Sequence, residues 1–145
     1  MSLGDWLAKG WLTRHKTSRQ EITDLLGAAD RDLDDCKSPS LSADWRLSIA
    51  HNSALMCATA ALAASGYRAS HEAYHFRVLQ SLRYTLLLDT ITVARLDAFR
   101  KKRNITGYER AGAVSDQEAD EMVELAESLR QQVEAWLQAN HPGLL

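Results

Sequence analysis

From Ser115 to Asn140 the chain reads SDQEADEMVELAESLRQQVEAWLQAN, and this stretch decides the fold class. Ser115 and Glu118 have the spacing of a capping box, in which a hydroxyl and a carboxylate satisfy backbone donors left free at a helix start. Met122, Leu125, Leu129, Val133, Trp136 and Leu137 then recur at intervals of three and four, the core stripe of a long amphipathic helix. Asn140-His141-Pro142-Gly143 stops it.

The same grammar repeats upstream. Ser18 and Glu21 again have capping-box spacing, ahead of Ile22, Leu25, Leu26, Ala29, Leu33 and Cys36 at helical intervals. Lys37-Ser38-Pro39-Ser40 breaks that helix, because proline disfavours helical backbone in the residue before it. A second helix is expected from about Ser42 to Ala64, with Gly66 ending it in the left-handed conformation. Its many alanines predict close approach to a neighbouring helix. Ser70 and Glu72 are expected to open a third helix carrying Tyr74, Val78 and Leu82. Leu86 to Thr90 reads as a turn into a fourth, with Ile91, Val93, Leu96 and Phe99 as apolar members and Gly107 ending or bending it. No alternating strand pattern intervenes. The reading is therefore all-α: an up-and-down bundle of four to five helices in one domain, residues 1–145, with 1–17 as an N-terminal extension long enough for a short helix.

Composition agrees with a folded globule. The chain has 145 residues, 46% hydrophobic and 25% charged, which excludes a mainly disordered chain. The richest apolar run, Ala54 to Ala64, falls short of the roughly 18 residues of a membrane span, and the N-terminus lacks the pattern of a secretion signal. The expectation is a cytoplasmic protein with no membrane contact. Cys36 and Cys57 lack CxxC spacing and read as buried free thiols. Trp6, Trp11, Trp45 and Trp136 are too scattered for a base-stacking platform and read as core or interface residues.

Charge is unevenly laid out. Between Arg95 and Arg110 six basic residues face two acidic ones, whereas from Ser115 onward seven acidic residues face Arg130 alone. The basic segment could attract a polyanion, or could be a solvated face neutralised by its acidic neighbour. Its centre is Arg100-Lys101-Lys102-Arg103-Asn104-Ile105-Thr106-Gly107-Tyr108-Glu109. Arginine suits bidentate phosphate binding, and Asn and Tyr can position a hydroxyl. The alternative is a basic helix terminus that favours the macrodipole, with Tyr108 as a packing residue.

Other chemistry is sparse. No phosphate-binding glycine loop, GxSxG, HExxH, EF-hand or di-iron Glu-x-x-His pair occurs. His71 and His75, one helical turn apart, could ligate a metal with His51 or Glu72 as third ligand. A polar helix face, or one histidine hydrogen-bonded at a helix start, is the stronger reading, and no metal or cofactor is expected.

At Arg103-Asn104 the sequence resembles the HEPN family (higher eukaryotes and prokaryotes nucleotide-binding), small helical bundles marked by an Arg, often followed by Asn, with a His four to six residues later near the end of the penultimate long helix. The lead-in from Phe99 and the trailing Tyr108-Glu109 resemble a bacterial branch reading R-K-R-N-x-x-x-Y-E. The alanine-rich second helix ending in Ala64-Ser65-Gly66-Tyr67-Arg68, with His71 and His75 beyond it, is similar to that branch too. The resemblance covers roughly Ser18 to Leu137. It implies a homodimer that places two RN motifs along one cleft, RNA or a nucleotide as ligand, and a minimal nucleotidyltransferase as partner in a toxin–antitoxin pair. It also implies metal-independent endoribonuclease chemistry at Arg103, Asn104 and Tyr108, with Arg100, Lys101 and Lys102 on the nucleic acid and His71, His75 and Glu109 as secondary candidates. One departure matters: Tyr108 stands where the motif's His can fall. A phenol of pKa near 10 is a poor general base at neutral pH, so cleavage should be slow or absent unless Tyr108 is perturbed or His71 or His75 reaches the site. Loss of that His motivates a second reading, a non-catalytic module that docks a nucleotidyltransferase or another protein.

Overall fold

The computed structural model describes residues 1–106 and 113–145, with the backbone alone for 104–106. Gly107, Tyr108 and Glu109 lie outside the described residues. The order is α1 (Leu3–Ala8), β1 (Leu12–Arg14), α2 (Arg19–Asp35), α3 (Ala43–Ala64), β2 (Tyr67–Ala69), α4 (Tyr74–Gln80), α5 (Leu82–Thr85), α6 (Thr90–Thr106) and α7 (Asp116–Asn140), then a single 3₁₀ turn, Pro142–Leu144.

Helix α3 is the centre of the molecule. Ser42 caps its start by accepting the Trp45 N–H at 3.3 Å, and Gly66 follows its end at φ +94°, where a side chain would be strained. Between them Leu47, Ala50, Ala54, Cys57, Ala58, Ala60 and Ala61 are wholly buried. Helices α2 and α7 cover α3 most extensively, presenting Ile22 and Ala29 on one side and Met122, Ala126, Val133 and Leu137 on the other. Small side chains let the axes approach, because interaxial distance follows the residues at the contact. The closeness is visible in one bond: Ser53 Oγ of α3 donates to the backbone carbonyl of Ala29 in α2 at 2.9 Å. By length and composition α3 could also cross a membrane, which counting uninterrupted apolar residues misses, but two-thirds of its most apolar window (67%) is buried within the fold.

Where local signals compete, the structure departs from expectation. Residues 12–14 and 67–69 pair antiparallel, with Leu12 opposite Ala69 and Arg14 opposite Tyr67. Strands of three residues are too short to show an alternating pattern, and burial of Leu12 is what holds this ribbon in place. Ser70 does not open α4. Its hydroxyl donates to the Gly10 carbonyl at 2.7 Å, tying the ribbon, and α4 begins at Tyr74 after Ala73 in the left-handed region at φ 53°. The third helix is then interrupted at Ser81, whose Oγ donates back to the Val78 carbonyl at 2.6 Å, although Val78 and Leu82 are both buried as the stripe requires. Asp89 caps α6 by accepting the backbone N–H of Thr92 at 2.9 Å. Val93, Leu96 and Phe99 of α6 are buried as expected, but Ile91 is 73% exposed.

The N-terminal segment does fold into a short helix, and it packs on the bundle. Trp6 is buried, with its ring centroid 5.9 Å from Trp11 and 5.3 Å from Tyr84. The Arg77 guanidinium lies over Trp11 at 3.6 Å. Trp45, by contrast, stands exposed on α3. Cys36 and Cys57 are free and buried; burial raises both thiols, Cys57 to about 12.

Candidate functional site

Arg103 lies on the last full turns of α6, half buried. Burial lowers its pKa, and the carboxylate of Asp32 on α2 opposes that effect. Asp32 is itself nearly buried and accepts from Asn52 Nδ2 of α3 at 2.7 Å. The charge on Arg103 of α6 is thus felt against a carboxylate of α2 that is itself held by α3.

Two histidines feel the charge of Arg103. His51 of α3 is fully buried and donates from Nε2 to the Leu96 carbonyl at 3.3 Å. Burial first, and the Arg103 charge second, pull its pKa down to about 4. Its Nδ1 has no hydrogen-bond partner among the described residues, so a second proton there would face no acceptor. His75, exposed at the start of α4, is also lowered, by partial burial and then by Arg103 and Arg100. An open groove of about 470 Å³ runs between the start of α4 and α6, lined by Ala73, Tyr74, His75, Phe76 and Arg100. The Arg100 guanidinium sits 5.6 Å from the Phe76 ring centroid.

The basic cluster is partly neutralised within the fold. Arg100 Nε donates to Asp97 Oδ1 at 2.7 Å, Lys101 pairs with the other Asp97 oxygen at 3.5 Å, and Lys102 pairs with Glu118 of α7. Glu118 belongs to the acidic segment that follows in sequence, so part of the neutralisation comes from the neighbour that charge counting names. His71 stands exposed in the segment before α4, so it does not share a helical face with His75. Among the described residues no group of three or more His, Cys, Asp or Glu could hold a metal ion. The side chain of Asn104, with Tyr108 and Glu109, lies outside the described residues.

Sequence reasoning names Arg103, Arg100 and His75 but not their company. Phe76, Asp32 and Asn52 carry no motif. Asp32 does have a signal: it follows Ala29 by three residues, so a carboxylate sits at the edge of the apolar stripe of α2. No family model, curated protein or solved structure matches the chain.

Proposed function

We propose that this chain is a HEPN-like, RNA- or nucleotide-binding bundle, working as a cytoplasmic homodimer with its helices in the up-and-down HEPN order. Its site is the surface where α4 meets α6, and its activity is metal-independent endoribonuclease chemistry of the toxin–antitoxin type. One observation carries the reading: His75 stands within the field of Arg103 and Arg100, offering an imidazole to a motif whose own His position holds Tyr108. The lowered pKa keeps His75 neutral at pH 7. A neutral imidazole can accept the proton of a 2′-hydroxyl while Arg103 steadies the phosphate; as the 2′-oxygen bonds to phosphorus the bond to the 5′-oxygen breaks, and that oxygen takes a proton from water. Asn104 and Tyr108 complete the RN motif in this reading.

The test is cleavage of a mixed RNA pool in chelator by the wild-type chain and by Arg103→Ala, His75→Ala and Tyr108→Phe. The expected result is cleavage that Arg103→Ala and His75→Ala abolish and Tyr108→Phe retains. Loss with Tyr108→Phe and retention with His75→Ala moves proton transfer to the phenol. Light scattering at about 16 kDa across micromolar concentrations overturns the homodimer.

A different observation favours the docking module. Leu87 and Ile91, four residues apart where the chain enters α6, are 81% and 73% exposed. An apolar pair there suits a protein partner such as a minimal nucleotidyltransferase. Absence of cleavage by the wild-type chain, together with no RNA retained in filter binding, makes this the better reading.

A further inference from the structure

Two capping boxes are written in the sequence, and only one closes. Glu118 Oε1 accepts the Ser115 N–H at 3.1 Å, returning the bond that Ser115 Oγ takes from the Glu118 N–H. Ser18 likewise takes the Glu21 N–H at 3.1 Å, but the Glu21 carboxylate turns elsewhere. Its Oε1 accepts from Thr17 Oγ1 at 2.6 Å and pairs with His15 Nε2 at 2.7 Å. Both bonds fall on the same oxygen. The Thr17 bond, then His15, hold the carboxyl below its ordinary range, so Glu21 is an anion at neutral pH.

The diverted carboxylate forms part of the wall of a partly open cavity of about 190 Å³ between the ribbon, α2, α3 and α4. Leu25, Leu62 and Val78 give the cavity an apolar lining, and the rings of Tyr67 and Tyr74 contribute aromatic wall. A dry cavity of about 150 Å³ accommodates a benzene ring, so this one has room for a flat ring of nucleobase size. Apolar and aromatic surface favours a π face. The remaining oxygen of Glu21 favours an edge that donates a hydrogen bond. A carboxylate accepts from an exocyclic amine, while the carbonyl that replaces the amine in uracil would repel it. His15 and Arg68 are the basic groups of the lining.

Tyr74 ties this cavity to the groove already described, because it lines both. Its ring lies 5.9 Å from that of His75, the next residue in α4.

We propose that this cavity reads a nucleobase carrying an exocyclic amino group, with Glu21 as acceptor and Tyr67 and Tyr74 beside the ring, while the attached phosphate lies in the groove of His75 and Arg100, within the field of Arg103. The inference rests on the phosphate reading of that groove.

Cytidine and uridine differ at the group that Glu21 would read, and neither carries phosphate. With the full chain labelled at Leu and Val methyls, cytidine should shift Leu25, Leu62 and Val78 and bind about tenfold more tightly than uridine, the worth of one hydrogen bond to a charged group. Glu21→Gln should erase the preference, and Ala63→Leu, which fills the cavity from α3, should block cytidine without changing the response to inorganic phosphate. Cytidine monophosphate should bind more tightly than cytidine in the wild type, and Arg100→Ala should shrink that gain. Methyls that ignore millimolar cytidine, or equal binding of the two nucleosides, overturn the base cavity. A cytidine preference with no gain from phosphate keeps the base cavity and overturns the groove as its phosphate site.

Discussion

Glu118 holds Lys102 of α6 with one carboxylate oxygen and the backbone N–H of Ser115 with the other. One side chain thus closes the cap of α7 and anchors the basic end of α6 to it. A lysine committed in this way is poorly placed to follow an RNA backbone. Lys102→Ala should therefore change RNA affinity little and stability by about 0–1 kcal/mol, as for other partly exposed pairs. Arg103→Ala should weaken binding by roughly 1–3 kcal/mol and flatten its salt dependence. Filter binding at low and physiological salt checks both; equal losses from the two variants overturn the distinction.

His51 makes stability depend on pH. Its folded pKa of about 4 lies below the ordinary 6.5, so the unfolded chain binds the proton more tightly. Stability from this group is fully present above pH 6.5 and lost as pH falls through about 4, by roughly 3 kcal/mol in all. Urea midpoints should drop between pH 6.5 and 4.5, before most carboxylates titrate. His51→Leu should flatten that drop, leaving the smaller contribution of His75, which is lowered in the same direction. An unchanged slope in His51→Leu would assign the effect elsewhere.

The alanines of α3 set the spacing of three helices. Ala58→Leu should destabilise by about 1–3 kcal/mol through overpacking, though it adds apolar volume. Met122→Ala on the facing helix should cost about 2–5 kcal/mol through the opposite fault, a cavity. Chemical denaturation of each variant measures both. A neutral Ala58→Leu would mean that the helices are not in close contact there.

Arg77 clasps the N-terminal segment. Its guanidinium faces Trp11, and Nε and Nη1 are buried without hydrogen-bond partners among the described residues, so ring faces are what they meet. Arg77→Ala should cost about 0.5–2 kcal/mol and shift tryptophan emission to the red as Trp6 becomes wet. Arg77→Lys should restore little, because an ammonium cannot lie flat on a ring. Unshifted emission in Arg77→Ala would show that Trp6 is held without it.

Much of the helical architecture is legible because its signals are local. Ser18 and Ser115 cap the helices that their spacing announces, Ser42 caps α3 where its start is expected, and the alanines of α3 foretell close packing against its neighbours. The ribbon is not legible: the hydroxyl of Ser70 had two possible uses, a helix start or a bond to Gly10, and only the folded chain decides between them. The site divides the same way. Arg103 stands out as one of four cations, and Asp97, which pairs with Arg100 and Lys101, is local; but the carboxylate whose charge acts on Arg103 is Asp32, 71 positions earlier, and the one that pairs with Lys102 is Glu118 on another helix. His75 is visible as a histidine, yet its meeting with α6 depends on where α4 starts, which Ala73 rather than Ser70 determines.

The central place of α3 has a consequence for synthesis. Of its two main covers, α2 leaves the ribosome before it and α7 leaves long after. At roughly 5–20 residues per second, an apolar helix able to pass for a membrane span waits several seconds with one side open. Chaperone traffic and aggregation should therefore concentrate on nascent chains that have finished α3 but not α7, and a ribosome stalled in that interval should release the least soluble fragment.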